Sequence, residues 1–128
     1  MANNLIFIDT NILMEIFFRR SKYDPVSARL SALPDEDSVC TSVLAASTLL
    51  YYVEAEGLDK IIAHKFLNGF RILDLSNEDF MWAKNNDQDD FEDGLQVACA
   101  RRHKCSYLLT LDKKFSNMYG KYLAIATI

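Results

Sequence analysis

No apolar run in this chain approaches the roughly 18 residues that a bilayer-spanning helix needs. The segment from Met1 to Asn4 lacks a basic region, and Asp9 interrupts the first apolar run, so no signal peptide is expected. Cysteine is scarce. Cys40, Cys99 and Cys105 are odd in number and lack paired spacing, which argues against a disulfide framework and suits a reducing cytosol. Repeats, low-complexity segments and linkers are missing too. With 128 residues, 50% hydrophobic and 25% charged, the composition fits one globular domain over 1–128 that buries its own core without staples. These absences together predict a cytoplasmic protein with no membrane attachment.

Positive charge is also not in excess. The formal net charge is −4, so capture of nucleic acid by overall charge is excluded as a principal mode. A nucleic-acid function would need metal ions to neutralise an acidic site and local basic clusters to grip the backbone. There is no Walker lysine and no nucleophile elbow, and neither histidine has a Ser or Cys partner motif. Cys99, His103 and Cys105 lie close together, but structural zinc wants four ligands in paired spacings.

What is present is an alternation of short apolar runs with helical segments. Leu5–Ile8 has no polar alternation and reads as a buried central strand. It stops at Asp9-Thr10-Asn11, and Ile12 to Phe18 reads as a helix. Further helices are expected from Asp24-Pro25 to about Leu33, from Ser42 to Glu56 before Gly57, and from Leu58 to Leu67. Others follow from Phe80 to Lys84 and from Phe91 to His103, with a polar loop over 85–90 between them. Strands are expected at Val39–Thr41, Phe70–Leu75, Tyr107–Thr110 and Leu123–Ala126. The pattern predicts an α/β fold, a three-layer α/β/α sandwich around a central, mainly parallel sheet of four to five strands.

In such a sheet, ligands bind at the carboxyl ends of the strands, near the point where strand order reverses. Asp9 directly follows the first strand, and Asp112 follows Thr110 by two positions. Asp90 and Asp93 share a face at the start of a helix. If that helix begins at the same edge, four carboxylates converge. They would raise one another's pKa unless hard cations such as Mg2+ or Mn2+ neutralise them. A metal held there suits phosphodiester hydrolysis, by polarising the phosphoryl group and supplying hydroxide at neutral pH. Each acid also has a plainer explanation. Asp9 and Asp90 are in helix-capping positions, Asp93 suits the positive end of a helix, and Asp112 suits a turn. Asn11 and Thr110 would orient a carboxylate or a water, or else serve as a cap and an ordinary strand residue.

Three segments resemble the PIN-domain nucleases, including VapC-type toxins. Ile6-Phe7-Ile8-Asp9-Thr10-Asn11 is similar to that family's opening strand and its Asp-Thr/Ser-Asn signature. The stretch from Asp90 to Ala100 resembles the helix carrying its third acid, here Asp93. Leu108 to Phe115 is similar to its closing strand and turn, with the last acid at Asp112. The resemblance implies a metal-dependent endoribonuclease with Asp9, Asp93 and Asp112 as catalytic ligands. It also implies an RNA substrate and a cognate antitoxin. The family usually carries a further acid that would fall near Ser47 or Thr48, and neither is acidic. Glu54 shares the face of Ser47 but is displaced by about 10 Å along the helix. Asp90 is the candidate to compensate. Without compensation, the fold would serve as a non-catalytic RNA- or protein-binding module. A phosphatase using Asp9 as nucleophile would want an acid at position 11, where Asn11 stands.

Arg101, Arg102, Lys113 and Lys114 flank the acidic segments and are candidates for phosphate contacts, or else solvated surface. Arg19, Arg20 and Lys22 suit an acidic partner. Tyr51, Tyr52 and Trp82 would stack on bases or fill the core. The nearly all-apolar stretch Ile12 to Phe18 suggests burial by a second subunit, and so a homodimer.

Overall fold

The central strands carry short apolar runs whose two faces are covered by the apolar sides of the helices. The computed structural model describes residues 3–86 and 90–128. Five strands form one all-parallel sheet: β1 (Leu5–Ile8), β2 (Ser38–Ser42), β3 (Arg71–Leu73), β4 (Tyr107–Thr110) and β5 (Ile125–Thr127). Their spatial order is β3-β2-β1-β4-β5. The helices are α1 (Thr10–Phe18), α2 (Tyr23–Ser31), α3 (Val43–Ala55), α4 (Lys60–Leu67), α5 (Asn77–Asn85), α6 (Phe91–Arg102) and α7 (Lys113–Tyr119).

The period-2 geometry of the strands divides the core into two layers. Ile6 and Ile8 face Ile12, Leu13 and Val26 of α1 and α2. Phe7 points the other way, toward Val97, Cys99 and Ala100 of α6 and Phe115 and Tyr119 of α7. Helices therefore cover both faces, and the three-layer sandwich expected from the alternation is the fold. A further cluster of Met14, Ala46, Leu49, Val53, Ala63 and Leu67 ties α1, α3 and α4 together. It takes Met14 of α1 into the core, while Ile16, Phe17 and Phe18 stay half-buried. Among the described residues no helix is long and apolar enough to cross a membrane.

Helix starts follow local chemistry. Ser42 accepts a hydrogen bond from the Ala45 amide, Asp59 from Ile61, and Ser76 forms a capping box with Asp79. The Asp59 cap explains why α4 starts at Lys60 rather than Leu58. Helix α7 is an addition: Lys113–Tyr119 reads as turn and loop, yet Asp112 caps it and buried Phe115 and Tyr119 anchor it. β5 runs Ile125–Thr127, shifted from the expected Leu123–Ala126, and pairs in register with β4. Residues 87–89 of the expected polar loop lie outside the described residues; Asn85 ends α5 and Asp90 precedes α6.

The chain steps from β1 outward to β2 and β3, then returns to place β4 on the other side of β1. The order reverses between β1 and β4, so a crevice opens there at the carboxyl ends of the strands. Gly94 lets α6 approach α5 closely beside it: a Cβ there would meet the Ala83 Cβ at 3.3 Å and the Tyr119 hydroxyl at 3.4 Å.

Candidate active site

Asp9 is the first residue beyond β1, and its amide still donates to the Leu109 carbonyl of β4 at 3.0 Å. It occupies the N-cap position of α1, but its side chain makes no capping bond. The carboxylate turns instead into the crevice. Gln96 Nε2 donates to Oδ1 at 2.8 Å and Thr110 Oγ1 donates to Oδ2 at 2.7 Å. The Thr110 hydroxyl is itself fixed. It accepts from Asn11 Nδ2 at 3.2 Å and from the Asp112 amide at 3.1 Å. Asn11 closes the circuit by accepting from the Leu111 amide at 3.3 Å, and Thr10 Oγ1 donates to Gln96 Oε1 at 3.3 Å. Both oxygens of a buried carboxylate are thus held by neutral donors, which fix its direction without cancelling its charge.

Asp9, Asn11, Asp90, Asp93 and Asp112 all line one cavity of about 440 Å³ at the switch point, with Gln96 behind them. The structure brings together the four acids that the sequence nominates. Asp90 and Asp112 also keep their plainer role. Asp90 Oδ1 accepts from the Glu92 amide, capping α6, and Asp112 Oδ1 accepts from Lys114, capping α7, each at 2.9 Å. Asp93 is different: it projects from the first turn of α6, half-buried, with no hydrogen bond or ion pair among the described residues.

Burial raises the Asp9 carboxyl above its ordinary range, partly offset by the Thr110 and Gln96 hydrogen bonds and reinforced by the nearby charge of Asp112. Asp93 is pushed up to about 7 by burial first, then by the charges of Asp9, Asp90, Asp112 and Glu92. The like charges act on Asp93 because the four acids share one cavity, and neither Asp9 nor Asp93 makes a salt bridge among the described residues.

Such a donor set fits a hard divalent ion. It is all oxygen, anionic and partly desolvated. Mg2+ typically takes one or two protein carboxylates and fills its octahedron with water and substrate phosphate. Among the described residues no group of three or more acidic, His or Cys side chains stands close enough to hold a metal ion. A cation in this cavity would therefore take one or two carboxylates from Asp9, Asp90, Asp93 and Asp112 and complete its shell with water and phosphate.

Of Ser47 and Thr48, Thr48 is the one that lines the cavity, and its hydroxyl donates to the Leu44 carbonyl at 3.0 Å. No acid occupies that wall. Glu54 pairs at the surface with Lys60, 3.5 Å away.

The basic residues divide sharply. Arg101 and Arg102 sit at the far end of α6, about 12 Å or more along the axis from Asp93. Arg102 there binds Asp79 through Nε and Nη2, both at 3.0 Å, and Arg101 lies over the Trp82 ring at 5.1 Å. The fold does not bring either to the cavity. Lys113 and Lys114 are exposed on the first turn of α7 and do not line it either. Trp82 is half-buried against Tyr119 and Tyr122, while Tyr51 and Tyr52 are exposed rather than core. Gln96 escapes the sequence reading, its signal being its i, i+3 spacing from Asp93, and Arg20, expected to face an acidic partner, lines the cavity.

A slightly larger cavity of about 490 Å³ lies by Leu33, Val39 and Phe70. It opens at the amino ends of β2 and β3, away from the switch point, and its Asp37 is tied to the Asn4 amide at 3.1 Å.

Comparison with known proteins agrees with this geometry. The family profile described as PIN domain matches residues 6–121. Among solved structures, the chain is similar to a toxin–antitoxin complex from Klebsiella pneumoniae, with 18% identity, 95% of this chain and 96% of that one covered, and a TM-score of 0.73. VapBC2 from Rickettsia felis, bound to a DNA fragment from its promoter, matches at 18% identity over 96% and 98% of the two chains, with a TM-score of 0.73. VapC20 of Mycobacterium tuberculosis, described as a toxin cleaving the sarcin–ricin loop, matches at 15% identity over 88% and 93%, with a TM-score of 0.71. At these identities the likeness is one of fold. No curated protein sequence matches.

Proposed function

Because the chain belongs to the PIN domain family, we propose that it is a divalent-metal-dependent endoribonuclease and the toxin of a toxin–antitoxin pair. One observation carries the chemistry: Asp9 and Asp93 line one cavity at the switch point, at least half-buried and without a salt bridge among the described residues, and Asp93 is pushed up to about 7.

Bound between them, Mg2+ or Mn2+ would neutralise the carboxylates and act as a Lewis acid on a phosphodiester. Asp9 serves as the rigid ligand, because Gln96 and Thr110 fix both of its oxygens. Asp93 serves as the adjustable one. As a ligand it would be held deprotonated, since a carboxyl group binds a cation only as the carboxylate. Asp112 is anchored by one oxygen to the Lys114 amide and presents the other to the crevice. Asp90, capped in the same manner, adds negative charge and partly compensates for the neutral Thr48. Asn11 and Thr110 keep the first acid and the Asp112 turn in register.

The relatives' character as toxin–antitoxin assemblies supports an antitoxin partner. The exposed Leu58, Ile61 and Ile62 offer apolar surface of the sort that a protein partner covers. The sarcin–ricin-loop cleavage of one relative supports RNA as the substrate class.

Thr48 favours one rival, a non-catalytic module that keeps the fold and binds RNA or protein. Incubating pure protein with single-stranded RNA and Mg2+ or Mn2+ separates the two. Cleavage by the wild type, abolished by chelator and by Asp9→Asn, supports the nuclease. Equal behaviour of wild type and Asp9→Asn removes Asp9 from the chemistry, and no heat of binding at millimolar Mn2+ favours the module.

A further inference from the structure

The cavity has two walls of opposite character. One is acidic, built from Asp90, Glu92 and Asp93 of the α6 region together with Asp112. The other comes from the opposite layer and carries no acid: Arg20 from the α1–α2 turn, and Thr48 and Tyr52 from α3. Thr48 and Tyr52 are one helical turn apart and share a face.

Arg20 is the one cation lining the cavity among the described residues, and it makes no salt bridge with any of them. Its position is built. Arg19 adopts a left-handed conformation at φ 49° that ends α1, and the Arg20 amide donates to the Glu15 carbonyl at 3.1 Å. Glu15, buried, accepts the Lys22 amide at 2.6 Å and so pins the far side of the turn. The exposed guanidinium lies 5.3 Å from the Phe18 ring centroid, a contact with the ring face that uses none of its N–H groups as hydrogen-bond donors. Tyr52 stands 43% exposed with its ring edge-on to Tyr51 at 5.3 Å. An unstacked base is one ring that would lie on this exposed aromatic surface.

We infer that Arg20 and Tyr52 form a substrate subsite, in which Arg20 takes a phosphate flanking the scissile one and Tyr52 stacks on an unpaired base. The ligand class is a single-stranded polynucleotide. A duplex holds its bases inside the stack, whereas a strand offers both a phosphate and an open ring face to this wall. The inference rests on the nuclease reading for its place in a reaction, but the subsite itself is a matter of binding. It also explains how a chain of net charge −4 holds a polyanion: the grip is local, on the one wall that carries no acid. The neutral Thr48 belongs to the same design, since an acid there, on the wall shared with Arg20 and Tyr52, would repel the phosphate.

Fluorescence anisotropy of a labelled 12-nucleotide single-stranded RNA, with Ca2+ in place of Mg2+, reads the subsite without relying on turnover. Arg20→Ala should weaken binding about tenfold and lower the salt slope by about 1, with Arg20→Lys intermediate. Tyr52→Leu should weaken it about fivefold or more, while Tyr52→Phe keeps wild-type affinity. Melting temperatures should stay at the wild-type value, because neither side chain is buried. Under cleavage conditions the same variants should raise KM with kcat within about twofold, because they remove binding that is equal in ground and transition states. No binding by the wild type, or wild-type affinity in both Arg20→Ala and Tyr52→Leu, overturns the subsite. RNA cleavage that is lost in Asp9→Asn but untouched in Arg20→Ala would leave the nuclease standing and remove the subsite. RNA binding lost in Arg20→Ala without wild-type cleavage would do the reverse.

Discussion

Asp9 and Asp79 are almost equally buried, at 4% and 2% exposure, and both bond to α6, Asp9 to Gln96 in its amino-terminal half and Asp79 to Arg102 at its carboxyl end. Asp79 has a cation. Arg102 grips it with two nitrogens at 3.0 Å, and the Ser76 amide adds a third bond at 3.1 Å. Asp9 has none; its partners are a side-chain amide and a hydroxyl, both neutral. The same residue type at the same depth is a structural pair at one end of the helix and an unneutralised charge at the other. A buried acid with a guanidinium is complete within the chain. Asp9, which shares its cavity with Asp90, Asp93 and Asp112, is suited to take a positive charge from outside.

The largest effect should come from removing the unneutralised acid. Outer-shell partners of a metal typically cost about 10–100-fold when removed, so Asp9→Asn should cut RNA cleavage by about 100-fold or more in a steady-state assay. Asp79→Asn should leave the cleavage rate within about twofold, because it touches no part of the crevice. Next come the neutral donors: Thr110→Val and Gln96→Ala should each weaken Mn2+ affinity about 10–100-fold by calorimetry. If they left it unchanged, the hydrogen-bond circuit around Asp9 would be decoration.

Stability should move in opposite senses at the two ends. Asp79→Asn breaks a paired group and leaves Arg102 without its main partner, so the melting temperature should fall by several degrees. Asp93→Asn removes an uncompensated charge, so metal-free protein should melt higher at neutral pH while losing activity. The pH dependence has a definite sign. Asp93 is raised from 3.8 to about 7, so between those values the folded state keeps a proton that the unfolded chain has lost. Metal-free stability should therefore fall as pH climbs through that window and level off above it. Saturating Mn2+ or Asp93→Asn should flatten the decline. A thermal-shift series across pH checks the smallest of these effects.

How far the sequence led depends on the kind of signal. β1 and β4 were legible to the residue, because a fully buried parallel strand is a continuous apolar run. The acids were legible because each follows an element end where the topology puts a site. α7 was not, since a seven-residue helix with Ser116 and Asn117 in it offers little periodicity, and only the burial of Phe115 and Tyr119 holds it. Gln96 was hidden because a glutamine within a helix is ordinary until Asp9 is known to face it. Arg101 and Arg102 are near Asp93 in sequence but far along a rigid helix, whereas Arg20 is distant in sequence and reaches the cavity through a turn. The choice between Ser47 and Thr48 needed the rotation of α3, which no pattern of small residues specifies.

The most direct test of the contrast between the two ends of α6 is anomalous diffraction from crystals soaked in Mn2+. A peak within coordinating distance of the carboxylates of Asp9 and Asp93, and none at Asp79, is the predicted result. Crystals that take up Mn2+ elsewhere while the crevice between Asp9 and Asp93 shows no peak would contradict it.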